Sequence, residues 1–509
     1  MIPHKRVLIC VAMVVVCLGA ACGNSRRIRH RPGTLVIAID SSPTNLDPRI
    51  GIDKASENFH HLLFNGLLRK DEHDRMVPDL ALSYERVDPL LYRFRLRSDV
   101  FFHNGKKLTA ADVVFTFNSI LRGEVSSTRK AALQSVESVT APAPGIVEIR
   151  LHERFNSLPI NLSVGIIPAG SPADFARHPI GTGPYRLVDF QPDSIARFTA
   201  FSRYFEGAPR LAFLELRVIP DSTTRALELK RGSVDLVLGA GAVPPDYFEA
   251  LKMDGDLKTA MGTGNNYAYI GMNLRDPLLA DRRVRQAIGY AINRQAIIQS
   301  LMHGTALPAS GILAPHHWCY EMHVLQLSYD ADRAKMLLEQ AGYHDPDGDG
   351  PEVRFSIEYK TTTSEFRRLV ATVIQSDLRK VGIGVNVRSY EWGTFFSDIN
   401  RGNFQLCMLL WVGESDPDIL REVFSSKGMR NRGKYRDASV DRWLSLAKIA
   451  ETEEEQKRYY SLVQKKVAED CPYISLWYES AMAVMRKELA GLRLTPDSDF
   501  RVLKDVYWN

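Results

Sequence analysis

Trp411, Glu414 and Asp416 fall within one short stretch, Phe404–Asp418, which reads FQLCMLLWVGESDPD. An aromatic face beside carboxylates suits a cationic group, because the ring quadrupole attracts positive charge and a carboxylate pairs with it. Lys360 offers the opposite chemistry, a compact point charge for an anion. Trp392 adds a second aromatic surface. Taken alone, the acidic run also fits a solvated turn, since Asp and Pro are common turn formers.

Other motifs carry less. Gly428-Met429-Arg430-Asn431-Arg432-Gly433-Lys434 matches most of a phosphate-binding loop. It then has Tyr435 where Ser or Thr should hold magnesium, and no strand leads into it. A plain loop is the better reading of this run. Asp345-Pro346-Asp347-Gly348-Asp349-Gly350 starts like a calcium loop but reaches Ser356 where the bidentate Glu belongs, so a solvated turn is expected. His60-His61 and His316-His317 are adjacent pairs, which would point to opposite sides of a strand and make no metal-binding helix face. No Gly-x-Ser-x-Gly elbow exists, and His152-Glu153-Arg154-Phe155-Asn156 lacks the second His of a zinc protease. The sequence thus argues against an enzyme and calls for no metal or cofactor.

The elements that would position these residues follow from periodicity. Eight mostly apolar residues ending abruptly in Gly, Ser, Asp and Pro read as a buried strand that stops at its ligand-facing end. Arg354–Tyr359 alternates as a strand, Glu365 to Val381 is helical by the spacing of Leu369, Val373 and Leu378, and Ile383 to Tyr390 is a further strand. Phe404 to Trp411 closes a β-α-β-β order, which predicts a mostly parallel sheet with Lys360, Trp392 and Glu414 at equivalent strand ends. Earlier in the chain, Leu35–Ile39 is a strand delivering a polar loop that holds Thr44 and Asn45. Tyr92–Arg97 is an alternating strand, and Thr109 with Asp112 starts a helix.

At 509 residues with 45% hydrophobic content, the chain has material for about three domains. Lys5 and Arg6 precede an apolar run from Val7 to Ala21 that is too short to span a bilayer comfortably, which marks an export signal over 1–21. Residues 1–33 hold six Lys/Arg and no acid, so removing these six from the total of 65 leaves 59 bases against 60 acids. A near-neutral body excludes an argument for nucleic acid, and the basic segment 22–33 reads as a tether on anionic headgroups or as plain linker. Three cysteines, Cys319, Cys407 and Cys471, lie beyond this segment with no metal spacing. One disulfide plus a thiol is allowed, and the pair is not fixed by sequence.

The run Tyr92 to Phe117, with its Phe102-His103-Asn104-Gly105 turn and Leu108-Thr109-Ala110-Ala111-Asp112-Val113, resembles the signature of the family 5 extracellular solute-binding proteins. Gly181-Thr182-Gly183-Pro184-Tyr185, Val218-Ile219-Pro220-Asp221, Gly232-Ser233-Val234-Asp235 and Asp281-Arg282-Arg283-Val284-Arg285-Gln286-Ala287-Ile288 are similar to later blocks in family order. The resemblance implies an α/β, two-lobed periplasmic-binding-protein-like fold (type II, cluster C), with mixed sheets, helices on both faces and an inserted domain. It implies lobe I from 34–58, 181–268 and 478–509, an insert at 59–180 and lobe II at 269–477. Hinges are expected at Tyr267–Gly271 and Ile474–Tyr478.

Its functional implication is a monomeric receptor of an ABC importer that takes oligopeptides or dipeptides to a membrane permease. A receptor for a metal chelate, opine or sugar, or a sensory receptor, is the alternative. Glu414 would hold the peptide amine and Lys360 would match a carboxylate-binding Arg, with Trp411, Asp416, Trp392, Thr44, Asn45, Asn431 and Arg432 as further contacts. Leu18-Gly19-Ala20-Ala21-Cys22 resembles a lipobox in which Cys22 is acylated, placing a lipoprotein on a membrane facing the periplasm or the cell surface. Gly19 stands where Leu is usual, which leaves ordinary cleavage after Ala21 as the alternative.

Overall fold

The computed structural model describes residues 33–348, 350–413 and 415–509. Two long strands organise it. Leu257–Met272 and Tyr473–Arg486 pair antiparallel along nearly their whole length, and each contributes to several of the cores. At one end, Arg486 and its neighbours pair with Leu257 onward, and Leu236–Leu238 adds beside them. Thr34–Ile39, parallel to both Leu236–Leu238 and Phe213–Val218, continues the sheet, and the hairpin strands Ile195–Ala200 and Tyr185–Gln191 finish it. At the other end, Leu406–Trp411 pairs antiparallel with Tyr267 to Met272. Phe355–Thr362 then lies parallel to it, and Ile383–Tyr390 lies parallel to Phe355–Thr362 at the edge.

Strand alternation assigns the cores. Ala268, Ile270, Met272, Leu406 and Met408 face helices Arg282–Ala291, Arg294–Leu301 and Glu365–Arg379, while Tyr267, Tyr269, Cys407, Leu409 and Trp411 face the opposite helical layer. The other end repeats this. Leu35 and Ile37 pack with Phe59, Leu62, Phe500 and Leu503, whereas Val36 and Ala38 pack with Ala226, Leu229 and Phe248. A side chain's face is set by a period of two, so one residue of slip would exchange the two cores. Residues 67–166 hold a separate core around a four-stranded antiparallel sheet and helix Ala110–Leu121. That helix begins as expected, with the Asp112 carboxylate accepting from both Thr109 N and Thr109 Oγ1 at 2.7 Å.

Two local expectations are corrected. The segment after Ile383–Tyr390 is a helix, Trp392–Arg401, so the order is β-α-β-α-β. Its weak helix formers, Gly393 and Thr394, are offset by the Glu391 side chain, which accepts from the N–H groups of both. His60 and His61 lie on a helix, Lys54–Leu63, begun by Asp53, and are not on a strand. The three cysteines are free and buried, Cys319 and Cys407 on one side of the sheet and Cys471 on the other. Burial pushes the Cys407 and Cys471 thiols up to about 12.

Candidate ligand-binding cleft

A cavity of about 560 Å³ lies where the two ends of the structure meet. The carboxyl ends of the parallel strands Thr34–Ile39 and Leu236–Leu238 deliver Asp40, Ser41, Gly239 and Ala240 to one wall, as open α/β sheets do. The carboxyl end of Leu406–Trp411 delivers Val412 and Gly413 to the facing wall. Helix Lys54–Leu63 presents Lys54, Glu57 and Asn58, and the late segment Pro496–Ser498 closes a further side. Gly264, Asn265 and Asn266, from the crossing of the long strands, form the remaining part.

Most charge in this cavity is already committed. Lys70 Nζ sits 3.1 Å from Asp497 and donates to Ser415 Oγ at 3.3 Å. Burial pushes the Asp497 carboxyl up, but Lys70 together with Lys54, His61 and the hydrogen bonding around it holds the group well below the usual carboxylate range. Asp53 caps its helix through Ser56 N and also accepts from Thr44. Burial opposes its ionisation, while these hydrogen bonds hold its carboxyl below the ordinary value. Arg225 donates to four backbone carbonyls, of Ile219, Pro220, Gly241 and Ala242. Two groups stand out as uncommitted: Asn58 Oδ1 and the whole side-chain amide of Asn265 are buried without a partner.

The residues singled out from sequence scatter around this cavity. Glu414 and Cys22 lie outside the described residues. Trp411 stacks on Tyr269 at 6.2 Å within the apolar layer, with the guanidinium groups of Arg430 and Arg432 over it at 5.4 and 5.3 Å. Arg432 also donates to Asn400. Asp416 accepts from Ser157 Oγ at 3.1 Å and from Asp418 N, facing a second cavity of about 380 Å³ toward residues 67–166. Lys360 is 4% exposed, and its Nζ donates to Asp398 at 2.8 Å, away from the cleft wall. Trp392 opens its helix half-exposed and stacks on Phe396. Asn431 spends both ends of its amide on Ser425 O and on the N–H and C=O of Tyr435. Thr44 serves Asp53, and Asn45 accepts from Asp47 N.

What sequence reasoning missed is the set that forms the cavity: Lys70, Asn265, Asn266, Gly413 and Asp497. Their separation along the chain hides them. One local signal was present, the Gly262-Thr263-Gly264-Asn265-Asn266 run inside an otherwise strong strand pattern, which marks a bulge.

A cleft between two α/β halves that share one sheet through long paired strands is the architecture of a two-lobed binding protein of the periplasmic type. Residues 75–431 match the family model described as Bacterial extracellular solute-binding proteins, family 5 Middle. The chain belongs to that family. It is 27% identical to the "Oligopeptide-binding protein AppA" of Bacillus subtilis, over 97% of this chain and 96% of the relative. It is also 27% identical to "Heme-binding protein A" of Haemophilus influenzae, over 91% and 90%. Among solved structures, the Bacillus subtilis AppA complex with a nonapeptide superposes with a TM-score of 0.74 at 27% identity, covering 94% of this chain and 99% of that one.

Proposed function

We propose that this protein captures oligopeptides or dipeptides between its lobes and delivers them to the permease of an ABC importer. The observation that carries the reading is a cleft at facing strand ends, in a chain that matches an oligopeptide-binding relative over 97% of its own length and 96% of the relative's. A peptide offers a fixed cation, a fixed anion and unpaired backbone groups, and a cavity of this size is in the range used for small ligands. Glu414 is the proposed amine partner, because Gly413 before it lines the cleft and Ser415 after it contacts Lys70.

The lobes are proposed as 34–58 with 181–268 and 478–509, and as 269–477, with 59–180 inserted. Bending is proposed at Tyr267–Gly271 and Ile474–Tyr478, where the paired strands cross between the lobes and shift register between Ala268 and Tyr269. An export signal over 1–21, acylation at Cys22 and a tether over 22–33 would hold a monomer at the membrane face in the periplasm or at the cell surface.

A thermal-shift screen of di- to pentapeptides against nickel chelates, haem, opines and sugars tests the central claim. Ligand at 100-fold over Kd should add about 2.7 kcal/mol to folded stability. Stabilisation by a non-peptide alone would sink the peptide reading. Cys22→Ser should release the protein from membranes, and retention of that variant would overturn the anchor.

A further inference from the structure

The two long strands lose register twice, between Ala268 and Tyr269 and, more widely, between Thr263 and Asn266. Thr263 pairs with Ser480 while Asn266 already pairs with Glu479, so Gly264 and Asn265 are extra residues on one side of the ladder. Only a glycine fits at 264, because a Cβ there would collide with the Glu479 carbonyl oxygen. Bulges of this kind re-aim a side chain, and here the next one lines the cleft.

The two asparagines that follow Gly264 differ in what they do. Asn266 is spent: its Nδ2 donates to Glu479 Oε2 at 2.9 Å and its Oδ1 accepts from Gly413 N at 3.2 Å, which fastens the crossing to the loop after Trp411. Asn265 is 4% exposed, and neither its Nδ2 nor its Oδ1 has a partner. A buried amide left unpaired is costly, and a fold that needed only shape there would be served by an apolar side chain.

We infer that Asn265 is a ligand-contacting residue whose side-chain amide takes the N–H and the C=O of a single residue of an extended peptide in the cleft. The inference rests on the peptide reading and names the group that this part of the cleft reads. An Asn amide carries a donor and an acceptor in one plane. An extended residue presents its own N–H and C=O to the same side, so it satisfies both at once, independently of side-chain type. The carboxylates of a metal chelate offer acceptors only and would leave Oδ1 unpaired. Asn265 therefore favours backbone recognition with loose sequence preference.

The test uses the full-length protein, alanine peptides of two to five residues, and the same peptides with one amide replaced by an ester, position by position. Calorimetry on wild type, Asn265→Leu and Asn265→Ala should show a loss of about tenfold or more in both variants. One ester position should cost wild type a similar factor and cost the variants little further, as coupled partners do. Unliganded Asn265→Leu should melt no lower than wild type, since leucine removes an unpaired amide. Variants that bind alanine peptides within about twofold of wild type would overturn the inference and leave the peptide reading standing. If wild type binds none of these peptides, the peptide reading falls and the inference with it.

Discussion

Residues 269–477 meet the rest of the molecule on several surfaces, and polar groups behave differently at two of them. Against residues 67–166, side chains hold one another: His316 Nε2 lies 3.2 Å from Asp74 Oδ2, Ser157 Oγ donates to Asp416, and Arg154 and Asn156 both donate to Ala450 O. Across the cleft, Asn265 and Asn58 bury atoms that nothing in the protein satisfies. The first surface is mostly a contact of the protein with itself, leaving only Arg154 Nε and His316 Nδ1 of these groups without a partner, whereas the second leaves the whole Asn265 amide open. Pairing, more than residue type, separates a structural polar group from a receptive one. Lys360 and Asn431 have binding chemistry and are fully spent, while Asn265, of ordinary type, is not.

The comparison can be pressed hardest at His103, a polar group held only by backbone. Its Nδ1 accepts from Gly181 N at 3.3 Å and its Nε2 lies 3.0 Å from Gly183 O, an arrangement for neutral imidazole. Burial lowers its pKa from 6.5 to about 4, with the Gly183 carbonyl opposing part of that shift. A base whose folded pKa is depressed contributes stability that is complete above its unfolded pKa and is lost as pH falls toward the folded one. Urea melts should therefore show a loss of about 2–3 kcal/mol between pH 6.5 and 4 that is attributable to this residue. His103→Asn should flatten that slope, and an unchanged slope would remove His103 from the structural class.

Lys360→Met comes next. It leaves Asp398 with only Asn403, its other side-chain partner, and should cost about 1–3 kcal/mol of stability while peptide affinity stays put. Lost affinity at unchanged stability would break the comparison and restore Lys360 to the cleft. The smallest effect is expected for Ser157→Ala, which removes one hydrogen bond from the self-contact. Affinity should drop by roughly fivefold, near 1 kcal/mol, if that contact helps hold the lobes together around ligand. No change by calorimetry would show that the contact does not feed into closure.

The strands were legible where a single face or a continuous apolar run betrays them. Thr34–Ile39 and Ile383–Tyr390 stand where alternation and composition put them, and Leu406–Trp411 begins two residues later than expected. Helix Trp392–Arg401 was not, because Gly393 and Thr394 argue against it and its support is the Glu391 cap. Phe395 and Ile399, four apart and buried, with Gly402 just beyond at φ 76, were the available signal. The candidate site was far less readable. Lys70 and Asp497 are neighbours in space and lie at opposite ends of the sequence. No spacing rule joins them, and charge alone pointed instead to Lys360, whose partner is supplied by the unanticipated helix.

The place of Tyr473–Arg486 in the sheet also sets an order of events. Its second half inserts between Leu236–Leu238 and the start of Leu257–Met272, and Phe500, Leu503 and Val506 complete the core beneath Leu35 and Ile37. The core around Thr34–Ile39 is thus completed by residues far away in the sequence, and contacts of such long sequence separation form slowly. A growing chain cannot finish this lobe early. Until that stretch arrives the long sheet stays open on this side, whereas residues 67–166, with their own core and four-stranded sheet, wait for none of it.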